Sequence, residues 1–127
     1  MDRIERWIKQ RLAAAVAAGL GQWTDSPGSA IGRPIYHVTA GPVMLVLSEL
    51  GFTYTGPTLS LECRYDEVEA IKLASLVEVM RCHGDLSKIL TIEVTRRGAP
   101  AHYALQLPLR VYSSVATVLA RIVKELA

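Results

Sequence analysis

In most segments between Ile35 and Leu109 apolar residues tend to recur at every second position, and from Arg110 onward they recur at every third or fourth. Such a chain has to build sheet first and close it with a helix, because side chains alternate faces along a strand but share a helix face only about every 3.6 residues. The β-branched and aromatic runs PIYHVT, PVMLVLSEL, FTYTG, TLSLECRY, SKILTIEVT and AHYALQLPL therefore read as strands. Turn residues separate them at Gly51, at Gly56-Pro57, at His83-Gly84-Asp85 and at 96–100, so they order as antiparallel hairpins. Leu90, Ile92 and Val94 alternate with Thr91, Glu93 and Thr95, and Tyr103, Leu105 and Leu107 share a face, which gives these strands one wet side. The run VMLVL at 43–47 is apolar on both faces, so its outer face also wants cover. After Pro108, the stripe Val111, Val115, Val118, Leu119, Ile122, Val123 and Leu126 predicts a closing helix.

The 127 residues suit one domain, and half of them are apolar, enough for a full core. No run approaches the roughly 18 apolar residues that a membrane-spanning helix needs. Residues 1–20 form an amphipathic helix, with Ile4, Trp7, Ile8, Leu12, Ala15 and Val16 on one side, Arg3, Arg6, Lys9 and Arg11 around the other, and Gly19 and Gly21 as its stop. Asp2, Glu5 and the short alanine run argue for a helix and against a secretory signal. Residues 21–34, rich in Gly, Ser and Pro, read as a loop or linker, and 35–127 as the strand-rich domain. The helix is expected to dock on the open face of 43–47, with a second copy of the chain as the next choice for that cover. Residues 66–81 fit two readings: a helix capped by Asp66, with apolar residues at 73, 76, 77 and 80, or two strands broken near Ser75. Local rules leave that choice open.

The net charge of +2 is unevenly spread: +2 over residues 1–11, −4 over 12–80 and +4 over 81–127. No basic run is dense enough to mark nucleic-acid binding, and with a single Phe the chain has no aromatic platform for single strands. Cys63 and Cys82 read as reduced, buried thiols of a cytoplasmic protein. Cys82 with His83 lacks a second closely spaced pair to complete a tetrahedral metal site, and His37 and His102 read as strand residues at a sheet surface. Ser113, Ser114 and His102 lack a nucleophile-elbow turn, and Asp66, Glu67 and Glu69 read as a solvated corner. No coherent catalytic set emerges, so the chain is expected to be neither an enzyme nor a cofactor or metal carrier.

The order LSELGFTYTG, LSLECRYDEVEAIKL, LTIEV, HYALQLPL and then a lone helix resembles the pleckstrin-homology-like superfold, particularly its small bacterial members. Gly51, Phe52 and Tyr54, then Tyr65, Asp66, Glu67, Val68 and Ile71, carry the likeness over residues 35–127. It implies an α+β, mostly antiparallel fold: a bent sheet or barrel of about seven strands closed by a C-terminal helix, with the N-terminal helix as an addition. Tyr65 and Val68 then face inward and Asp66 and Glu67 outward. It also implies a binding scaffold that takes peptides in the groove beside the closing helix. Phosphoinositide binding is not expected, because the hairpin turn taken as the usual site, SELG, carries Glu49 and no base. If 66–81 is a helix, the element order instead resembles the small dimeric chaperones of type III secretion, which are usually acidic.

These readings converge on a non-catalytic module for a protein or peptide partner, with Arg96 and Arg97 at a hairpin tip, Arg110 and Tyr112 beside the closing helix, and Trp7 as contact candidates. The alternatives are a peripheral module for anionic lipid, anchored by the N-terminal helix, and a chaperone-like homodimer.

Overall fold

The computed structural model describes residues 3–24, 26–98 and 101–126. Its elements are α1 (Arg3–Ala17), β1 (Gln22–Trp23), β2 (Pro34–Ala40), β3 (Val43–Ser48), β4 (Gly51–Thr55), β5 (Ser60–Arg64), a single 3₁₀ turn (Tyr65–Glu67), β6 (Val68–Lys72), α2 (Leu76–Met80), β7 (Ile89–Arg96), β8 (His102–Pro108) and α3 (Leu109–Leu126). The strands make two antiparallel meanders, β1-β2-β3-β4-β5 and β6-β7-β8. The α+β class and the closing helix are as expected. The closed barrel is not, because no strand of one sheet pairs with a strand of the other among the described residues.

Register explains which faces are wet. Across the first sheet, Tyr36, Leu47, Phe52 and Cys63 form one cross-strand row and Val38, Leu45, Tyr54 and Leu61 the next, and every one of them is buried. The rows between them, His37-Val46-Thr53-Glu62 and Thr39-Met44-Thr55-Ser60, point outward. That outer face is mostly polar, which is why it needs less cover than the apolar run at 43–47 suggests. Met44 stays exposed there, and α1 does not dock on it.

Instead α1 packs on α3 and on β2, with Ile8, Leu12 and Ala15 buried in the common core. The reason is the width of its apolar face, which matches the stripe Val111, Val115, Leu119 and Ile122 of α3 at helical spacing. The Trp7 ring lies between the guanidinium groups of Arg3 and Arg121, at 5.5 and 5.1 Å from its centroid. Glu5 is buried beside Arg33, whose Nη2 is 3.2 Å from its carboxylate. Glu49 in turn accepts from the Arg33 backbone N–H at 2.6 Å, so the chain before β2 is tied to both α1 and the β3–β4 turn. Ile31 is buried and β1 pairs with β2, so the stretch before β2 is tied to the domain at Gln22–Trp23 and at Ile31, while 26–30 is exposed. At Gly21, φ is +113° and a Cβ would meet the Tyr36 ring at 2.4 Å. Only glycine fits there.

The sharp corner after β5 is built around Tyr65. Its hydroxyl donates to Ser48 O at 2.8 Å, its N–H donates to Leu50 O at 2.9 Å, and its ring stacks on Phe52 with centroids 6.4 Å apart. Tyr65 and Val68 are buried and Asp66 is exposed, as the acidic corner predicts. Glu67 pairs with Arg96 at 2.8 Å and so joins the corner to the second sheet.

Each reading of 66–81 holds for half of the segment: strand over Val68–Lys72, then a break, then helix over Leu76–Met80 capped by Ser75 and not by Asp66. Cys82 and His83 accordingly lie in the turn after α2, not on a strand, with His83 at φ 50°. The first hairpin turn of the sheet joins Ala40 to Val43, and SELG is the second. Gly41 and Pro42, which fill the first turn, also carry no base.

Two expectations test this packing. Ile8→Ala or Leu12→Ala should cost about 2–5 kcal/mol in denaturant unfolding, as a core truncation does, whereas a peripheral helix would lose under about 0.5 kcal/mol. Burial also pushes the Tyr36 phenol from 10.0 up to about 12, while its hydroxyl donates to Leu20 O at 2.5 Å. Its contribution is full below pH 10.0 and is lost as pH rises through about 12, because the unfolded chain releases the proton first. Thermal melts across that window should fall less steeply in Tyr36→Phe than in the parent.

Candidate functional site

α2 is short because its two end signals are close together. Ser75 Oγ accepts from the Glu78 N–H at 3.2 Å and the Glu78 carboxylate accepts from the Ser75 N–H at 3.3 Å, a reciprocal cap. At the other end His83 and Gly84, both at positive φ, turn the chain back. The segment is held from one side only. Ala74 and Val79 pack against the core, Cys82 is buried, and the Tyr112 hydroxyl accepts from the Ala74 N–H at 2.8 Å.

The other side is apolar and open. Leu76 is 74 % exposed, Val77 56 % and Met80 65 %, and their spacing by three and four puts them on one helix face. Leu86 and Ile89 follow at 59 % and 57 %. A single exposed leucine needs no explanation, but five large apolar side chains within one ordered stretch do.

Only the end of that stretch, Ser87 and Ile89, forms a wall of a groove of about 310 Å³, lined also by Ala40, Val43, Pro57, Pro108 and Arg110. The Arg110 N–H donates to Leu86 O at 3.2 Å and the Leu109 N–H to Lys88 O at 2.8 Å, so the start of α3 anchors that wall. On the far side, the Tyr54 hydroxyl donates to Gln106 O at 3.3 Å and accepts from Gln106 N–H at 3.1 Å, one point where the two sheets meet. The volume lies at the low end of the ~300–1,000 Å³ of small-molecule sites, enough for an anchoring side chain. The side chains lining it include no acid and no histidine; they offer apolar contact, the guanidinium of Arg110, the amide of Gln106 and the hydroxyl of Ser87.

Of the residues singled out in the sequence, Arg110 alone lines this groove. Tyr112 is buried and engaged with Ala74. Trp7 is half-buried between two arginines, and Arg96 is occupied by Glu67. Arg97 is exposed at its hairpin tip, with its N–H bonded to Glu67 O at 2.6 Å. His102 Nδ1 lies 3.0 Å from Thr95 Oγ1. Among the described residues no three His, Cys, Asp or Glu side chains gather as metal ligands. Burial pushes the Cys63 thiol up, and both cysteines are buried and unpaired. The open face of α2 escapes the sequence reading because 66–81 is there either all helix or all strand, and the segment is strand first and helix after Ser75. The signal that finds it is the Ser75-x-x-Glu78 cap followed by Leu76, Val77 and Met80.

Compared with protein-family models, with curated proteins and with solved structures, the chain matches none. Tyr112→Phe, which removes the partner of the part-buried Ala74 N–H, should cost about 0.5–1.5 kcal/mol and speed amide exchange across 74–82. Denaturant unfolding and exchange mass spectrometry measure the two effects.

Proposed function

We propose that this chain is a non-catalytic binding module that takes a protein or peptide partner on the apolar surface of residues 73–89 and the groove beside it. The observation that carries this reading is an ordered, capped helix whose apolar face is exposed while its opposite side is fixed to the core. Patches of that kind are used in association because burying them removes apolar area from water. The groove supplies a concave anchor point beside the start of α3.

The fold is proposed to be pleckstrin-homology-like. Support comes from the succession of the β2–β5 meander, the corner at Tyr65, the β6–β8 meander and the closing α3. In that superfold the space beside the closing helix takes peptides, which agrees with the placement of the groove. A lipid module would need the apolar face of α1, and that face is used against α3 and β2. A chaperone-like dimer is the second reading. It is favoured by the helix between β6 and β7, whose face a second copy would cover.

The test is capture from extract of the native cell by the tagged protein and by a Leu76→Glu/Met80→Glu variant, with proteins and lipids identified by mass spectrometry. Both positions are exposed, so the variant should melt within about 0.5 kcal/mol of the parent. A single protein held at near-equal amount by the parent and lost from the variant is expected. Equal capture by the two, or acidic lipid alone released by salt, would contradict the proposal.

A further inference from the structure

Around the open face the charges are sorted by use. The two acids of the 73–89 stretch already serve the backbone: Glu78 accepts from the Ser75 N–H, and Asp85 accepts from the Ser87 N–H at 3.0 Å and hydroxyl at 2.6 Å. Those bonds to Ser87, with a smaller contribution from the charge of Lys88 nearby, hold the Asp85 carboxyl below its usual range. The bases are not used in this way. Arg81, Lys88 and Arg110 make no salt bridge among the described residues, a state they share with Arg3, Arg6, Arg11, Arg97 and Lys124; what sets the three apart is their place along the open face and the groove.

These three bases follow the apolar strip. Arg81 caps the C-terminal end of α2, next to Met80. Turns linked by the Cys82 N–H to Val79 O, the Asp85 N–H to Cys82 O and the Lys88 N–H to Asp85 O keep the chain compact from there to the groove. Lys88 stands beside Ile89, and Arg110 lines the groove itself. An apolar surface edged by unpaired cations is complementary to an apolar segment edged by carboxylates. From this we infer that the partner segment is an acidic amphipathic peptide: its apolar face covers Leu76, Val77 and Met80, one large side chain enters the groove, and its carboxylates meet Arg81, Lys88 and Arg110. This rests on the reading of 73–89 as a docking surface and adds the chemistry of what docks.

The probe is a synthetic amphipathic helix with leucines on one face and glutamates on the other, titrated against the full chain beside a twin whose glutamates are glutamines. The glutamate peptide should bind about tenfold more tightly at low salt, the difference that three rim pairs supply, and salt should erase most of that advantage. Lys88→Gln/Arg110→Gln, both exposed, should bring the two peptides together without moving the melting temperature. Equal affinity for the two peptides, each abolished by Met80→Glu, would overturn the acidic preference and leave the docking surface standing. Light scattering that shows a dimer dissolved by Met80→Glu, with neither peptide bound, would also overturn it and put a second copy on the face. Binding indifferent to Met80→Glu would sink both the inference and the docking surface.

Discussion

The structure depends on the apolar stripe of α3 packed with α1, because among the described residues the two sheets share no strand pairing and their buried faces would otherwise stand open. Val111, Val115, Val118, Leu119 and Ile122 are all buried, and α3 touches β6, β7, β8, the corner at Tyr65 and α1. In a closed barrel, hydrogen bonds join the edges; here α3 packs on the second sheet and reaches the first through α1, which packs on β2, and through the corner at Tyr65, by dispersion and water exclusion. Two polar links fix the alignment: the Tyr54 hydroxyl on the Gln106 backbone, and Glu67 with Arg96. α1 then completes the cover of α3, which is why it is unavailable to the outer face of β3.

That arrangement explains why one segment is left apolar and exposed. β6 ends at Lys72, and β7 does not begin until Ile89, so the chain between must travel without a ladder to satisfy it. It does so with a capped turn of helix and a series of tight turns, tied inward at Ala74, Val79 and Cys82. Among the described residues nothing covers Leu76, Val77 or Met80, and a local structure of this size has little stability of its own. The functional proposal follows from this: apolar area that folding leaves exposed is available to binding.

Much of this was legible in the sequence, for physical reasons. Period-two patterning located every strand of four or more residues except β6, because burial of one sheet face writes itself into alternate positions. The stripe of α3 and the buried positions of α1 were equally plain, and the inward Tyr65 and Val68 followed from the corner. What stayed hidden was set by distant parts of the chain. Whether β5 and β8 meet in a barrel depends on bending that no local pattern records. α1 chose α3 over β3 because the alternate rows at His37, Thr39, Thr53 and Thr55 made the outer face polar, and that is visible only with the register in hand. Segment 66–81 misled because it holds a strand and a helix within sixteen positions, so neither period persists. Of the contact candidates, Arg110 reached the groove, while Tyr112 and Arg96 were drawn into internal bonds by partners far along the chain.

The most direct test is native-state amide hydrogen exchange on the whole chain, resolved by residue. If α3 and α1 close the two sheets into one core, amides of α1, β2–β5, β7, β8 and α3 should open together at the free energy of global unfolding, and those of 76–86 should open at much lower cost. Exchange of α1 independently of the strands, or protection of 76–86 up to the global value, would contradict it.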